Sequence, residues 1–184
     1  MSPKKHSPAH SPTLFGSVKR MALCAMMVAM SVVIGILCKT FLNFSNGLLR
    51  ITFENLPILL AGIFLGPVAG GTVGIASDLV SYLLSPQTYP PNLIVTLGAC
   101  AVGVVSGLMA KHVVKERGQK QIILSCAAAH AAGSMIIKPI GLFAFYQWAV
   151  LIRIPLYLVI APLEILLLCL LWRQGSFRRL FEKL

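Results

Sequence analysis

Three carboxylates lie inside or beside strongly apolar stretches of this sequence. Asp78 and Glu164 have apolar neighbours on both sides, and Glu54 follows Arg50 by four residues. Burying a charge in a bilayer costs on the order of several kcal/mol, so such residues usually face a cavity or an opposite charge. The three carboxylates are therefore the first candidates for a functional site.

Four cations accompany them. Lys39, Arg50 and Arg153 stand at the ends of apolar stretches, and Lys138 stands inside one. Cations bind carboxylates, Arg often through two parallel hydrogen bonds. A protein carboxylate can in turn accept two hydrogen bonds from an amino-pyrimidine edge. Structural ion pairs are the alternative, namely Lys138 with Asp78 or Glu164, and Arg50 with Glu54.

Aromatic residues complete the predicted site. Tyr82, Tyr89 and Tyr146 fall near the same ends of the apolar stretches, and Asn92 ends the polar segment that contains Tyr89. Aromatic faces stack on flat heterocycles, although an aromatic belt at the membrane surface is an alternative for some of them. A flat heterocycle with an anionic tail would suit these carboxylates, cations and rings together.

Motifs of catalysis are missing from the sequence. It contains no H-E-x-x-H, no G-x-S-x-G and no G-x-x-x-x-G-K-[ST]. Its five cysteines form no C-x-x-C pair, so neither a disulfide framework nor a zinc site is expected. We expect no catalytic residue, no metal and no cofactor, and we expect the isolated His130 to bond to a neighbouring helix.

The composition predicts that these residues are carried by membrane helices. Of the 184 residues, 57% are hydrophobic and 11% are charged, which is too few polar residues to cover a globule in water. We predict an all-α integral membrane protein with six transmembrane helices. The expected spans are about 21–39, 51–65, 67–84, 93–110, 121–145 and 154–172, with irregularity at Pro57 and interruptions at Lys138-Pro139 and Pro162.

Basic residues predict the orientation of these spans. Twelve of the sixteen Lys and Arg residues form three clusters of four, near the N-terminus, after the fourth span and near the C-terminus. Such clusters mark the cytoplasmic side of a membrane protein, so both termini are expected there. This accounts for the net charge of +11 without nucleic acid. Residues 1–20 and 174–184 are expected to be basic cytoplasmic tails, the first disordered, around a membrane domain of residues 21–173.

Glycine recurs at every fourth position in the second and third spans. Gly66-Pro67 should break the helix in a tight turn on the cytoplasmic side. Beyond it, Gly70 and Gly74 continue into Asp78 and Tyr82 along a slowly winding stripe. The glycines at the start of this stripe predict a close contact with another helix. Asp78 and Tyr82 at its other end predict a ligand cavity in the outer half of the bundle.

The segment RITFENLPILLAGIFLGPVAGGTVGIASDLVSYLL (residues 50–84) resembles the core motif of the substrate-binding S components of energy-coupling factor (ECF) vitamin transporters, with the folate group most similar. The later KPIGLFAFY and RIPLYLVIAPLEILLL blocks extend the resemblance. It implies a vitamin-binding subunit of the bacterial cytoplasmic membrane that is not an enzyme. Its partners would be a transmembrane T protein and two cytosolic ATPases. Riboflavin, pantothenate or a thiamine precursor are alternatives to folate.

The same resemblance implies a contact surface for the T protein. Its first helix carries small residues at a spacing of four, matched here by Ala25 and Ala29 with Ala22 on the same face. We include Gly66 and Pro67 of the cytoplasmic turn in this surface. Ordinary packing within the bundle is the alternative for all five residues.

Two other classes of function stay open at this point. A membrane-embedded enzyme could use Asp78, Glu164 and His130, although no motif of a known class accompanies them. A structural or channel protein would explain the glycines through helix packing. It would not explain the concentration of charges toward the outer side.

Overall fold

Long apolar helices make up most of the chain. In the computed structural model, which describes residues 18–44, 49–84, 92–113 and 118–175, five helices are long and apolar enough to cross a membrane. Their bounds agree with the predicted spans to within three residues, except that the fifth span ends seven residues later than predicted, at Ile152. They are Val18–Phe41 (α1), Pro67–Leu84 (α3), Leu93–Val113 (α4 with a final π-helical turn), Gln119–Ile152 (α5, α6 and a terminal 3-10 turn) and Ile154–Arg173 in α7, which itself begins at Arg153.

The second predicted span is much shorter than the others. Helix α2 (Asn55–Leu60) continues as a π-helix over Ala61–Leu65, and its eleven residues reach about 16 Å, roughly half of the hydrocarbon core. The second span is short and irregular, as predicted, but its irregularity is the π-helix over Ala61–Leu65 and not a break at Pro57. Pro57 is the third residue of α2, where the backbone N–H would have no partner within the helix, so proline fits there.

Of the two interruptions predicted in later spans, the one at Pro162 is wrong. The one at Lys138-Pro139 is a change from π-helical to α-helical hydrogen bonding without a break in the chain of helices. Helix α5 (Gln119–Ala129) passes into a π-helical segment, His130–Ile137, and then directly into α6 (Lys138–Tyr146). Local π-helical geometry can satisfy the backbone groups that a proline such as Pro139 frees. Helix α7 (Arg153–Arg173) likewise continues through Pro162, which lies on its exposed side.

One small feature adds to the all-helical prediction. Between α1 and α2, the strands Asn43–Phe44 (β1) and Leu49–Arg50 (β2) pair antiparallel, with Asn43 opposite Arg50. This two-residue ladder brings the chain back from the end of α1 to the start of α2. Both helix ends therefore lie at the same end of the bundle.

Glycines allow α3 and α4 to cross closely. Gly66 takes a φ of 103°, which favours glycine, and turns the chain into α3. A Cβ atom added at Gly70 would lie 2.5 Å from the carbonyl oxygen of Gly103, and one at Gly74 would clash with the carbonyl oxygen of Ala99. Small residues permit this approach where apolar helices pack in lipid. The crossing places the polar end of α3 beside the start of α4.

Candidate functional site

Helices α1, α2, α3, α4, α6 and α7 enclose a cavity in the half of the bundle that holds the end of α3 and the start of α4. Its volume is about 40 Å³, enough for about three water molecules. More than half of its lining residues are polar or charged, although it lies among apolar helices. The lining residues are Ser31, Thr52, Glu54, Asn55, Ile58, Ser77, Asp78, Ser81, Val95, Ala99, Lys138, Leu142, Leu156 and Tyr157.

Lys138 is the cation of this cavity. It is the first residue of α6, and only 6% of its surface is exposed. Its Nζ donates a hydrogen bond to Oδ1 of Asn55 at 3.1 Å and lies 4.0 Å from Oε1 of Glu54. Its side chain passes over Gly98, where an added Cβ would lie 2.6 Å from the lysine Cγ. Gly98 therefore makes room for the aliphatic part of Lys138.

Asp78 brings a carboxylate to the cavity from α3. Its Oδ2 accepts a hydrogen bond of 2.7 Å from the hydroxyl of Thr96 on α4, and the aspartate is half-buried. An ionised carboxylate offers about four acceptor sites, so this bond leaves capacity for a ligand. Gly74, one turn below, lets α4 approach closely enough for Thr96 to reach Asp78.

Glu54 and Lys39 tie α1 to the cavity wall. The hydroxyl of Ser31 donates to the backbone oxygen of Glu54 at 2.6 Å, and Nζ of Lys39 donates to the hydroxyl of Ser81 at 3.0 Å. Gly35 allows the close passage, since a Cβ there would lie 3.0 Å from Oε2 of Glu54. Lys39 itself is not among the lining residues, but its bonding partner Ser81 is.

The structure thus brings three predicted ligand contacts, Glu54, Asp78 and Lys138, together around one cavity. Arg50 lies in β2 and Arg153 begins α7, so the backbone of each is at the cavity end of the bundle. Tyr89 lies outside the described residues.

The predicted aromatic contacts are not in the cavity lining of the described chain. Tyr82 is half-buried on α3. Tyr146 packs against a hydrophobic cluster of Val95, Leu142 and Val150, of which Val95 and Leu142 also line the cavity. The aromatic side chain that does line the cavity is Tyr157, on α7.

Asn92 has a structural task at the start of α4. Its Oδ1 accepts a hydrogen bond of 2.9 Å from the backbone N–H of Ile94, which caps the helix. Its Nδ2 donates to the carbonyl oxygen of Gly141 at 2.5 Å. The side chain therefore joins α4 to α6, and we do not place it among the ligand contacts of the proposed site.

Glu164 lies deeper in the bundle than the sequence predicted. It is completely buried on α7, and its Oε2 is 2.6 Å from Nε2 of the equally buried His130. Neither residue lines the cavity. In this arrangement Glu164 does not line the cavity, because its carboxylate is paired with His130 on a neighbouring helix. The expectation that His130 bonds to a neighbouring helix is confirmed.

The predicted partner surface is exposed on α1. Ala22, Ala25 and Ala29 all lie on the exposed side of this helix, away from the bundle. Gly66 faces open space, and a groove of about 430 Å³ lies beside it. The groove is lined by Ile63, Phe64, Leu65, Gly66, Pro67, Val68, Ala69, Gly107, Ala110, Lys111 and Gln121.

Sequence reasoning missed several polar residues of the cavity. Asn55 and Thr96 carry the hydrogen bonds to Lys138 and Asp78, and Tyr157 supplies the ring. Asn55 stands at the start of a buried apolar run. A polar side chain in such a position usually faces a cavity or a partner, as was argued for the carboxylates. Thr96 carried no such signal, since threonine is common in membrane helices.

The cavity combines two carboxylates, one cation, hydroxyls and a ring, a set suited to binding a polar, flat molecule. Within the described ranges, no group of three or more His, Cys, Asp or Glu side chains could hold a metal ion. Recognition by hydrogen bonds and charge is what the arrangement offers.

This chain is similar to known proteins in sequence and in fold. The chain is 28% identical to the folate transporter FolT of Clostridium novyi (strain NT) over 109 residues, and the match spans 59% of each chain. The structure is similar to FolT solved with folic acid, with a TM-score of 0.64 at 24% identity, covering 83% of this chain and 90% of that one. It is also similar to an S component for biotin, with a TM-score of 0.60 at 19% identity, covering 93% and 100% of the two chains.

A family match covers most of the chain. Residues 19–178 match the family described as the substrate-specific component of the ECF transporter. This range includes every lining residue of the cavity and the whole of the bundle. The chain belongs to this family of multi-pass membrane proteins, which are substrate-binding components of transporters and not enzymes.

Proposed function

We propose that this protein binds folate from outside the cell, as the vitamin-binding subunit of an ECF importer in the bacterial cytoplasmic membrane. The observation that carries the proposal is the single cavity lined by Asp78, Lys138 and Tyr157 together. The FolT relative and the FolT structure with folic acid support folate over other vitamins.

The chemistry of folate matches the two ends of this cavity. Asp78, already held by Thr96, accepts two hydrogen bonds from the amino-pyrimidine edge of the pterin. Lys138 and Lys39, with Arg50 and Arg153 from the same end of the bundle, bind the carboxylates of the tail. Tyr157 offers a ring face to the pterin, and Tyr82, Tyr89 and Tyr146 remain predicted contacts for the rest of the molecule.

Binding requires the cavity to widen. Ligand sites for molecules of this size have volumes of about 300–1,000 Å³, whereas this cavity has a volume of about 40 Å³. Helices α1 and α2 and the segments at this end of the bundle therefore have to move when the vitamin enters. The bonds from Lys39 to Ser81 and from Lys138 to Asn55 are the ones that a ligand would replace.

Transport requires partners that this chain does not supply. We propose that it joins a transmembrane T protein and two cytosolic ATPases, through the exposed alanine face of α1 and the turn at Gly66 and Pro67. Both termini then face the cytoplasm, and the cavity faces outward. Small residues on an exposed helix face allow another membrane helix to approach closely.

The test is to identify the molecule that the purified protein holds. Mass spectrometry of co-purified small molecules should show a folate, and calorimetry should give a 1:1 complex with folate. Riboflavin, pantothenate and thiamine precursors serve as competitors in the same titration. Binding of one of these, with no binding of folate, would refute the folate proposal and name the alternative.

A further inference from the structure

A buried pair of ionisable side chains lies close to the cavity and takes no part in its walls. His130 and Glu164 are both completely buried, and their Nε2 and Oε2 atoms are 2.6 Å apart. Ionisable groups at this depth are costly and are usually kept for a function. Since neither residue lines the cavity, any effect on the ligand has to pass through a neighbour.

The neighbour that reaches the cavity is Tyr157. The ring centroids of His130 and Tyr157 are 6.3 Å apart with an interplanar angle of 36°, within the usual range of aromatic contacts. Tyr157 precedes Glu164 by seven residues on α7, about 20° short of two full turns, so both lie on nearly the same face. The imidazole of His130 therefore contacts both residues.

The backbone around His130 is unusual as well. The π-helical segment begins at His130 and ends at Ile137, immediately before Lys138. At its start, His130 Nδ1 lies 3.3 Å from the hydroxyl of Ser134 and Nε2 pairs with Glu164. At its end, Lys138 bonds to Asn55. Such segments are rare and often mark functional sites. Here the side chains at both ends contact other helices, through the pair of His130 with Glu164 and the bond of Lys138 with Asn55.

We propose that Glu164 is a positioning residue, which holds the imidazole of His130 so that His130 supports the ring of Tyr157 in the cavity wall. A carboxylate 2.6 Å from a ring nitrogen restricts the orientation of a buried imidazole. This orientation decides which edge or face of the His130 imidazole contacts the ring of Tyr157. Glu164 thus shapes the ligand site without touching the ligand. Its effect on vitamin affinity rests on the proposed function, whereas its effect on Tyr157 does not.

The first test needs no ligand. The protein is labelled with 3-fluorotyrosine, and the fluorine resonance of Tyr157 is assigned with Tyr157→Phe among the four tyrosines. The double variant His130→Leu/Glu164→Leu replaces the pair by apolar residues, an exchange that buried pairs often tolerate without loss of stability. The single variant Glu164→Leu removes the carboxylate and keeps the imidazole of His130, so it isolates the contribution of Glu164. We expect both Glu164→Leu and the double variant to shift the Tyr157 resonance, and the conservative Glu164→Gln to leave that resonance in place.

Ser125→Ala is the matched control. Ser125 is completely buried on the same helix, five residues before His130, and is not part of the pair. We expect this variant to leave the Tyr157 resonance unchanged. An unchanged resonance in Glu164→Leu, or an equal shift in Ser125→Ala, would overturn the proposal.

The second test separates positioning from general damage. Folate affinity is measured by calorimetry for the double variant, with Tyr157 present and with Tyr157→Leu. We expect a loss of about tenfold with Tyr157 present and less than about twofold with Tyr157→Leu, because interacting residues are not additive. Equal losses in both backgrounds would contradict the positioning role. Absence of folate binding in the unmodified protein would refute the proposed function, while the fluorine test still decides the role of Glu164.

Discussion

Nζ of Lys138 lies 3.1 Å from Oδ1 of Asn55, although 83 residues separate them in the sequence. This bond joins the start of α6 to the start of the short helix α2. Lys138 is held there by Gly98, over which its side chain passes, and by the π-helical segment before it. The cation of the cavity therefore depends on three separate parts of the chain.

Lys138→Met tests the role of this cation in binding. Methionine keeps the apolar stem but loses the charge, so we expect folate affinity to fall by about ten- to a hundredfold, the range for a lost hydrogen bond to a charged group. Calorimetry with purified protein measures the loss. Thr40→Val is the control, because Thr40 is exposed and bonds only within its own helix, to Ile36. An unchanged affinity in Lys138→Met would contradict the proposed site.

Gly98→Ala tests the space beneath the lysine. The new Cβ would lie 2.6 Å from Cγ of Lys138 and 3.3 Å from the carbonyl oxygen of Gly133. Overpacking of this kind costs about 1–3 kcal/mol, so we expect lower thermal stability and weaker folate binding. The control is Gly175→Ala, at a glycine with no neighbouring atom within 4 Å. Equal melting temperatures for the two variants would show that the helices adjust without cost.

Asp78→Asn tests recognition of the heterocycle. Asparagine has the same shape and can still accept the hydrogen bond from Thr96 through its carbonyl oxygen, so the fold should be retained. It cannot accept two hydrogen bonds from an amino-pyrimidine edge, and we expect folate affinity to fall by about tenfold or more. Thermal melting without ligand provides the stability comparison. A variant with full affinity and full stability would remove Asp78 from the proposed site.

Ala25→Leu tests the exposed face of α1. Leucine is well tolerated in a lipid-facing helix, and Ala25 is exposed, so we expect folate binding and stability to stay within about twofold of the original. Close approach of a partner helix is blocked by the larger side chain. We therefore expect loss of co-purification with the T protein and loss of ATP-dependent uptake in vesicles.

Val33→Leu is the matched control for this surface. Val33 is also exposed on α1, with 56% of its surface accessible, but a bulky residue already occupies the position. It should retain both complex formation and uptake. Retained uptake in Ala25→Leu would place the partner surface elsewhere.

The helices and the location of most charges followed from the sequence alone. Apolar stretches of about 20 residues have one stable form in lipid, a helix, because every backbone polar group has to bond internally. The Gly66-Pro67 pair predicted the turn between α2 and α3, and the glycines that follow predicted the close contact of α3 with α4. For the same reason Asp78, Glu54 and Lys138 stood out, since a charge in such a stretch requires a partner.

Only the tertiary structure decided which charges share a cavity. Glu164 pairs with His130, Asn92 caps a helix, and Tyr157 is the aromatic residue that lines the cavity in the described part of the chain. Each outcome depends on how a helix is rotated and at what depth it meets its neighbour. Hydropathy does not specify this rotation when most faces of a helix are apolar. The π-helical segment before Lys138 changes the rotation of this helix further, and only packing against other helices selects such a segment.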